Sequence, residues 1–188
     1  MSWKPSSVAN PPNKMRTLIL IPTETEAALL RAACPDAPVR IAGVGMAAAA
    51  AATARIIAEE HPDRLILAGI AGASDRSVAV CEVAAGAGGG IAELPGKYAV
   101  RYAADFIPAG LRTVESNTTN RTGVAASGTQ IENMEGAAFL AVCRAFGVPG
   151  AEVRAVSNYT DDPRSAWRIE ESAEKLAKTI IRILPDYE

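Results

Sequence analysis

Two short, neighbouring segments hold the side chains best suited to chemistry. The first, Ile131-Glu132-Asn133-Met134-Glu135-Gly136-Ala137-Ala138, sets the carboxylate of Glu135 beside Met134 and directly before an apolar helical face. A carboxylate so placed is partly buried and needs donors, and two vicinal hydroxyls of a sugar would supply them. The second, Val153-Arg154-Ala155-Val156-Ser157-Asn158, is an apolar run that ends in a polar pair. Its arginine is a lone charge in an apolar strand and calls for a carboxylate partner, which a purely structural ion pair also satisfies. Glu132 and Glu135 lie one helical turn apart on one face, and Glu132 reads as a solvated acid that favours the helix dipole. Asn158 offers an amide at the end of its run, where capping a strand-to-loop turn is the plain alternative.

These groups need elements to position them. Thr17–Ile21 is a continuous apolar run, read as a buried strand and ended by Pro22. Thr23 can cap a helix whose first turn carries Glu24 and Glu26. Further strands are expected over Val39–Ala42, Arg64–Ala68, Val78–Ala84 and Glu152–Val156, with a short one at Tyr98–Tyr102. Helices are expected over Met46–Glu60, Glu132–Phe146 and Ser172–Ile183, with Gly147 and Pro149 stopping the second. Gly69-Ile70-Ala71-Gly72 reads as a loop leaving the third strand, where glycines permit close approach or positive φ, or simply a turn. Gly86–Gly90 reads as a flexible connection, and Ser116–Gly128 as polar and turn-like. Strands alternating with helices indicate an α/β layer fold. Ligands of such sheets bind beyond the carboxyl ends of strands, where Glu26, the Gly69–Gly72 loop and Ser157-Asn158 all fall.

Composition excludes several classes. The 188 residues suit one domain, 17–188, behind a loose tail, 1–16, that lacks an apolar signal-peptide core. The net charge of −2 and the lack of a basic run speak against nucleic acid and anionic membrane as partners. Apolar runs are too short or too interrupted to span a bilayer. Cys34, Cys81 and Cys143 have no motif spacing and read as buried thiols of a cytoplasmic protein. His61 is the only histidine, so no metal site built on histidine is expected; ahead of Pro62 it reads as a helix cap. Gly43-Val44-Gly45-Met46-Ala47-Ala48 fits a loose G-x-G-x-x-A dinucleotide fingerprint, with Glu59 or Glu60 downstream, but close helix packing explains it as well. Gly86–Gly90 is no P-loop, because no Gly-Lys-Ser/Thr follows.

Taken in order, these motifs resemble those of the purine nucleosidases and nucleoside phosphorylases, from Thr17 to the C-terminus. Pro22-Thr23-Glu24-Thr25-Glu26 is similar to that family's first strand-to-helix turn. Asn133-Met134-Glu135-Gly136-Ala137-Ala138 is similar to its ribose motif, and Arg154-Ala155-Val156-Ser157-Asn158-Tyr159 to its base motif. Trp167, in Arg164-Ser165-Ala166-Trp167, is similar to the family's tail. The stretch from Gly86 to Asn120 is shorter than in typical relatives, where it supplies strands, a base-stacking aromatic and contacts to the sugar's 5′ group. The resemblance implies a three-layer αβα fold with a central mixed sheet. It implies hydrolysis of an N-ribosidic bond, with Glu26 activating water, Arg154 orienting it, and Asn158 holding the base. Ala71 and Gly72 would border sugar and base, Met134 and Glu135 would hold the ribose, and Ser157 would position Asn158. Asn158, in place of an aspartate, implies a 6-oxopurine and hence release of hypoxanthine. No cofactor or metal is implied; a homodimer or higher homo-oligomer is. The alternatives are cleavage of adenine nucleosides, phosphorolysis, and nucleoside binding without turnover. Phosphorolysis needs a cationic pocket, and Arg76 is the one arginine near Gly69–Gly72.

Overall fold

The computed structural model describes residues 15–124 and 128–187. Of the tail expected over 1–16, residues 1–14 lie outside the described residues. Arg16 is anchored rather than loose: its N–H donates to Asp63 at 2.6 Å and its guanidinium pairs with Glu60 at 2.8 Å.

The elements are β1 (Thr17–Ile21), α1 (Glu24–Ala33), β2 (Val39–Ile41), α2 (Met46–Glu60), β3 (Arg64–Ala73), β4 (Val83–Ile91), β5 (Tyr102–Ala103), β6 (Arg112–Thr118), β7 (Ile131–Asn133), α3 (Gly136–Phe146), β8 (Gly150–Tyr159) and α4 (Ile169–Ile183). They form a three-layer αβα fold around an eight-stranded mixed sheet. The layering follows from the two-residue period of strands. Ile19, Ile21, Ile66 and Ala68 point to one face and pack with Ala27 and Leu30 of α1 and Leu176, Ile180 and Ile183 of α4. Leu18, Leu20, Leu65 and Leu67 point to the other and pack with Ile56 and Ile57 of α2 and Phe139, Leu140 and Cys143 of α3. Both faces of β1 and β3 are covered, so both read as unbroken apolar runs.

β1 pairs in parallel with β2 and β3. β3 then pairs with both β7 and β8, β7 with β6, β6 with β4, and β4 with β8. These five strands therefore close a ring, in which β8 joins β3 to β4. Local signals set the helix ends. Thr23 accepts from the Glu26 N–H at 3.1 Å and starts α1. His61, at φ 48°, closes α2 through its N–H to Ile57 O, and Gly147, at φ 68°, closes α3.

Several expected boundaries are corrected. β3 continues through Gly69–Gly72, so these glycines do not form a loop. The fourth strand starts at Val83 rather than Val78 and takes in Gly86–Gly90, the expected flexible connection. Residues 96–98 form a 3₁₀ turn, and the short strand is Tyr102–Ala103. Ser116–Thr118 belong to β6; their polar side chains are buried rather than turn-forming, and those of Ser116 and Thr118 are hydrogen-bonded. Ile131–Asn133 form β7, so α3 starts at Gly136 and not at Glu132. β8 runs on to Tyr159, so Ser157 and Asn158 lie within a strand.

The glycines of β4 serve close approach. At the irregular step between Gly86 and Gly89, β4 and β6 come so near that a Cβ on Gly89 would sit 2.2 Å from Ser116 O. That obstacle is backbone and cannot rotate away. Gly89→Ala should therefore cost about 3 kcal/mol or more in urea denaturation, at or beyond the upper end of ordinary overpacking. Gly96→Ala, where nothing lies within 4 Å, is the control and should stay within about 0.5 kcal/mol. Equal midpoints for the two variants would refute the close-approach account.

Candidate active site

The ring of strands encloses a guanidinium. Arg154, on β8, is fully buried, and its register partner on β3 is Gly69. A Cβ on Gly69 would lie 2.7 Å from Arg154 Nη1 and 3.2 Å from Glu26 Oε2. Glycine at this position leaves room for both charged groups, which accounts for a glycine within a strand.

Arg154 Nε donates to Glu152 Oε1 at 2.9 Å, and Nη1 donates to Glu135 Oε2 at 3.3 Å and to Ile70 O at 3.4 Å. Glu152 is two residues away on the same strand face, the spacing at which side chains share a side. Its carboxylate fits between two more glycines, since a Cβ on Gly136 would lie 2.6 Å and one on Gly86 3.1 Å from it. It also accepts from Ser116 Oγ at 3.2 Å and Asn133 Nδ2 at 2.7 Å. Asn133, thus fixed, turns its Oδ1 toward the start of α3 and accepts from Glu135 N at 2.9 Å and Gly136 N at 2.6 Å. Thr118 Oγ1 accepts from Ala137 N at 2.8 Å. The free N–H groups of Glu135, Gly136 and Ala137 at this helix start are thereby satisfied by strand side chains.

Glu135 is held from two sides. Its Oε1 accepts from Gly45 N at 3.0 Å, and its Oε2 faces Arg154. The Gly43–Ala48 turn thus spends a backbone N–H on a carboxylate of the chain itself. Of the downstream acids, Glu60 pairs with Arg40 and Glu59 with Arg55. This packing role replaces the dinucleotide fingerprint.

Glu26 approaches from α1. Burial pushes its carboxyl up to about 7; the nearby charge of Arg154 opposes the rise, and that of Glu135 adds to it. Glu26 Oε2 and Arg154 Nη2 are both buried and make no hydrogen bond within the protein. The hydrogen bonds of Arg154 go to Glu152, Glu135 and Ile70, and it reaches Glu26 through charge.

Above this cluster opens a cavity lined by Val44, Ile70, Ala71, Gly72, Thr119, Thr122, Glu132, Asn133, Met134, Glu135, Ser157, Asn158, Arg164 and Trp167. It brings together Ala71, Gly72, Met134, Glu135, Ser157 and Asn158 of the expected site. Arg154 lies behind its wall, bonded to Glu135, and Glu26 borders a separate groove between α1 and α4. Asn158 Oδ1 accepts from Ser157 Oγ at 2.7 Å, and its Nδ2 donates to Tyr159 O at 2.8 Å. The carbonyl of Tyr159 fixes which end of the amide is nitrogen, because an amide oxygen there would be repelled.

Val44, Thr119, Thr122, Glu132, Asn133 and Arg164 complete the wall and were not singled out for it. Glu132 is not a solvated acid: it is 6% exposed and accepts from Gly123 N at 2.6 Å and Val124 N at 2.9 Å. Burial raises its pKa, against the pull of those two N–H groups. Nothing local separates it from the helix that follows, because pairing with β3 and β6 makes Ile131–Asn133 a strand. Nothing local marks Thr119 or Thr122. The three cysteines are free; Cys143 is buried, with its thiol pushed up to about 12, whereas Cys34 and Cys81 are half-buried. Among the described residues, no group of His, Cys, Asp and Glu is arranged to hold a metal ion, and no helix is long and apolar enough to cross a membrane.

With the geometry described, comparison with known proteins is informative. Residues 112–187 match the Phosphorylase superfamily. Over 60 residues the chain is 45% identical to futalosine hydrolase of Thermus thermophilus, a match covering 31% of this chain and 27% of that protein. The chain thus spans about a quarter of the length of that curated relative. A futalosine hydrolase mutant of Helicobacter pylori superposes with a TM-score of 0.82 at 14% identity, covering 92% of this chain and 99% of the other. The 5′-methylthioadenosine/S-adenosylhomocysteine nucleosidase of the same organism, with butyl-thio-DADMe-Immucillin-A, gives 0.81 at 14% identity over 92% and 99%. That of Neisseria meningitidis, with methylthio-immucillin-A, gives 0.80 at 21% identity over 92% and 100%. The fold is that of these nucleosidases.

The Glu26 carboxyl carries a test of its own. Its folded pKa of about 7 lies above the ordinary 4.5. Its protonated form therefore adds stability that is complete below pH 4.5 and lost as pH rises through 7. Glu26→Gln, neutral throughout, should gain on the wild type by up to about 3 kcal/mol between pH 4 and pH 8. A constant difference in urea denaturation across that range would show a carboxyl that titrates normally.

Proposed function

We propose that the chain is a nucleosidase of the futalosine hydrolase kind, cleaving the N-ribosidic bond of a 6-oxopurine nucleoside with water and releasing hypoxanthine. The observation that carries this reading is Glu135. Gly45 N and Arg154 fix its carboxylate from behind, yet it still lines the cavity with Met134, and each oxygen keeps a lone pair for a ribose hydroxyl. Asn158 lines the same cavity with its amide orientation set, one N–H and part of its carbonyl remaining for a base edge.

In this mechanism the C1′–N9 bond breaks and its electron pair leaves with the purine. The sugar gains oxocarbenium character, a water oxygen bonds to C1′, and its proton passes to Glu26, whose carboxyl meets the backbone of Ile70 at the cavity wall. A carboxyl titrating near 7 is matched to that task at neutral pH. Asn158 stabilises the departing base, and Glu135 grips the ribose as charge develops; both contacts strengthen as the bond breaks. An amide donates to O6, where a carboxylate would be repelled, so the base is 6-oxo. Phosphorolysis is disfavoured by the carboxylates of Glu132 and Glu135 on the cavity wall. The reading extends to a cytoplasmic homodimer or higher homo-oligomer on the futalosine route to menaquinone, with the Ala-rich α2 as a close-packing surface.

The deciding experiment incubates the protein with futalosine, inosine and methylthioadenosine, with and without phosphate, and identifies the base and sugar released. Hypoxanthine and a free reducing sugar, independent of phosphate, are expected. A sugar 1-phosphate would establish phosphorolysis, faster adenine release would refute the 6-oxopurine assignment, and binding without release would refute turnover. Glu26→Gln should lower turnover by about two to four orders of magnitude while binding survives. Asn158→Asp should lose the preference for 6-oxo over 6-amino nucleosides, which steady-state comparison of inosine and adenosine would read.

A further inference from the structure

Resting on that reading, we propose that Glu132 contacts the base: its carboxylate accepts the N1–H of a 6-oxopurine and, with Asn158, makes a two-point contact to the O6–N1 edge. The sheet places the two side chains together. Gly72 of β3 is paired with Glu132 of β7 on one side and with Asn158 of β8 on the other. A Cβ on Gly72 would lie 3.2 Å from Asn158 Nδ2 and 3.5 Å from Glu132 Cγ. The missing side chain leaves a hollow between an amide and a carboxylate, and both groups line the cavity.

The carboxylate is buried and still short of donors. Its bonds to Gly123 N and Val124 N use one lone pair on each oxygen and leave one on each. The neighbouring strand adds no donor: Asn117, in register with Glu132 on β6, has a buried Nδ2 that bonds to no group of the protein. Burial raises the Glu132 carboxyl, the two N–H groups oppose the rise, and the charge of Glu93 adds to it. The net rise means that the donors of the chain do not offset the loss of water. A donor on a ligand would.

Purine chemistry supplies that donor at one place. A 6-oxopurine carries the O6 acceptor and the N1–H donor side by side, whereas adenine reverses both. Asn158 Nδ2 keeps one N–H for O6 after its bond to Tyr159 O. An amide holds a donor and an acceptor, so by itself it discriminates weakly. An ionised carboxylate cannot donate. It accepts N1–H in a charge-assisted bond, the strong kind, and repels the N1 lone pair of adenine.

The probes are hypoxanthine, 1-methylhypoxanthine and adenine, and calorimetry measures their binding to the wild type, Glu132→Gln and Glu132→Ala. The wild type should hold hypoxanthine about tenfold to a hundredfold more tightly than 1-methylhypoxanthine, the worth of a hydrogen bond to a charged group. Glu132→Ala, which also makes room for the methyl, should bring that ratio close to one. Glu132→Gln, whose amide can donate to N1, should narrow the preference for hypoxanthine over adenine. A carboxylate that only clamps Gly123 and Val124 would weaken all three bases alike in the variants, and unchanged ratios overturn the proposal. A wild-type ratio near one, or no binding of hypoxanthine, overturns it as well. A second measurement needs no variant and separates a hydrogen bond from a clash with the methyl. In hypoxanthine labelled with nitrogen-15 at N1 and bound to the wild type, the N1–H proton should move downfield and exchange slowly with water. An unshifted, fast-exchanging proton overturns the contact even where a variant does not fold. Base release from inosine and 1-methylinosine is assayed in parallel. If neither is cleaved while the base ratios hold, the nucleosidase reading fails and the Glu132 contact stands; if inosine is cleaved and the ratios do not hold, the contact falls and the nucleosidase reading stands.

Discussion

Arg154 brings a full positive charge into a place without solvent, and much of the architecture serves that burial. Isolating a guanidinium from water costs several kcal/mol unless carboxylates and hydrogen bonds compensate it. Here Glu152 and Glu135 bond it and Glu26 adds field. Burial raises the Glu26 carboxyl, Arg154 opposes the rise and Glu135 adds to it. Its shift thus depends on its neighbours in the cluster as well as on its own burial. The price of the arrangement is paid in side-chain volume: Gly69, Gly86 and Gly136 each give up a Cβ to a charged neighbour.

The same cluster couples fold to site. Glu152 orients Asn133, Asn133 caps α3, and the start of α3 presents Glu135 to the cavity. Loss of Glu152 would leave Arg154 uncompensated and free Asn133 at once, so the effects of changes within this network should not add. Glu132 acts separately, as a clamp on the backbone of Gly123 and Val124 beside the cavity wall.

Local sequence revealed the elements whose signals are local. α2 was legible to the residue because alanine favours helix and both ends carry turn-forming residues, Gly45 and His61. β1 and the start of β3 were legible because both faces are apolar. β4 was not, since a run of glycines reads as flexible, and only the approach of β6 from outside explains it. β7 was lost to the helix that follows: Glu132-Asn133-Met134-Glu135 suits a helix locally, and pairing with β3 and β6 overrides that preference. In the site, residues marked by their chemical type stood out, among them Glu135, Asn158 and Arg154. Thr119, Thr122 and Arg164 did not, because their place on the wall comes from loops that the fold brings in from afar.

The double pairing of β8 bears on how the molecule forms. β8 joins Gly150 to Leu65 and Ala155 to Val83, partners far apart along the chain. Such pairings must close long loops before any contact compensates their entropy, which makes folding slow. The ring cannot close until β8 arrives near the end of the chain, and the same strand delivers Arg154, Ser157 and Asn158. Chains interrupted before that moment expose two unpaired edges, on β3 and β4, and are the species most open to aggregation.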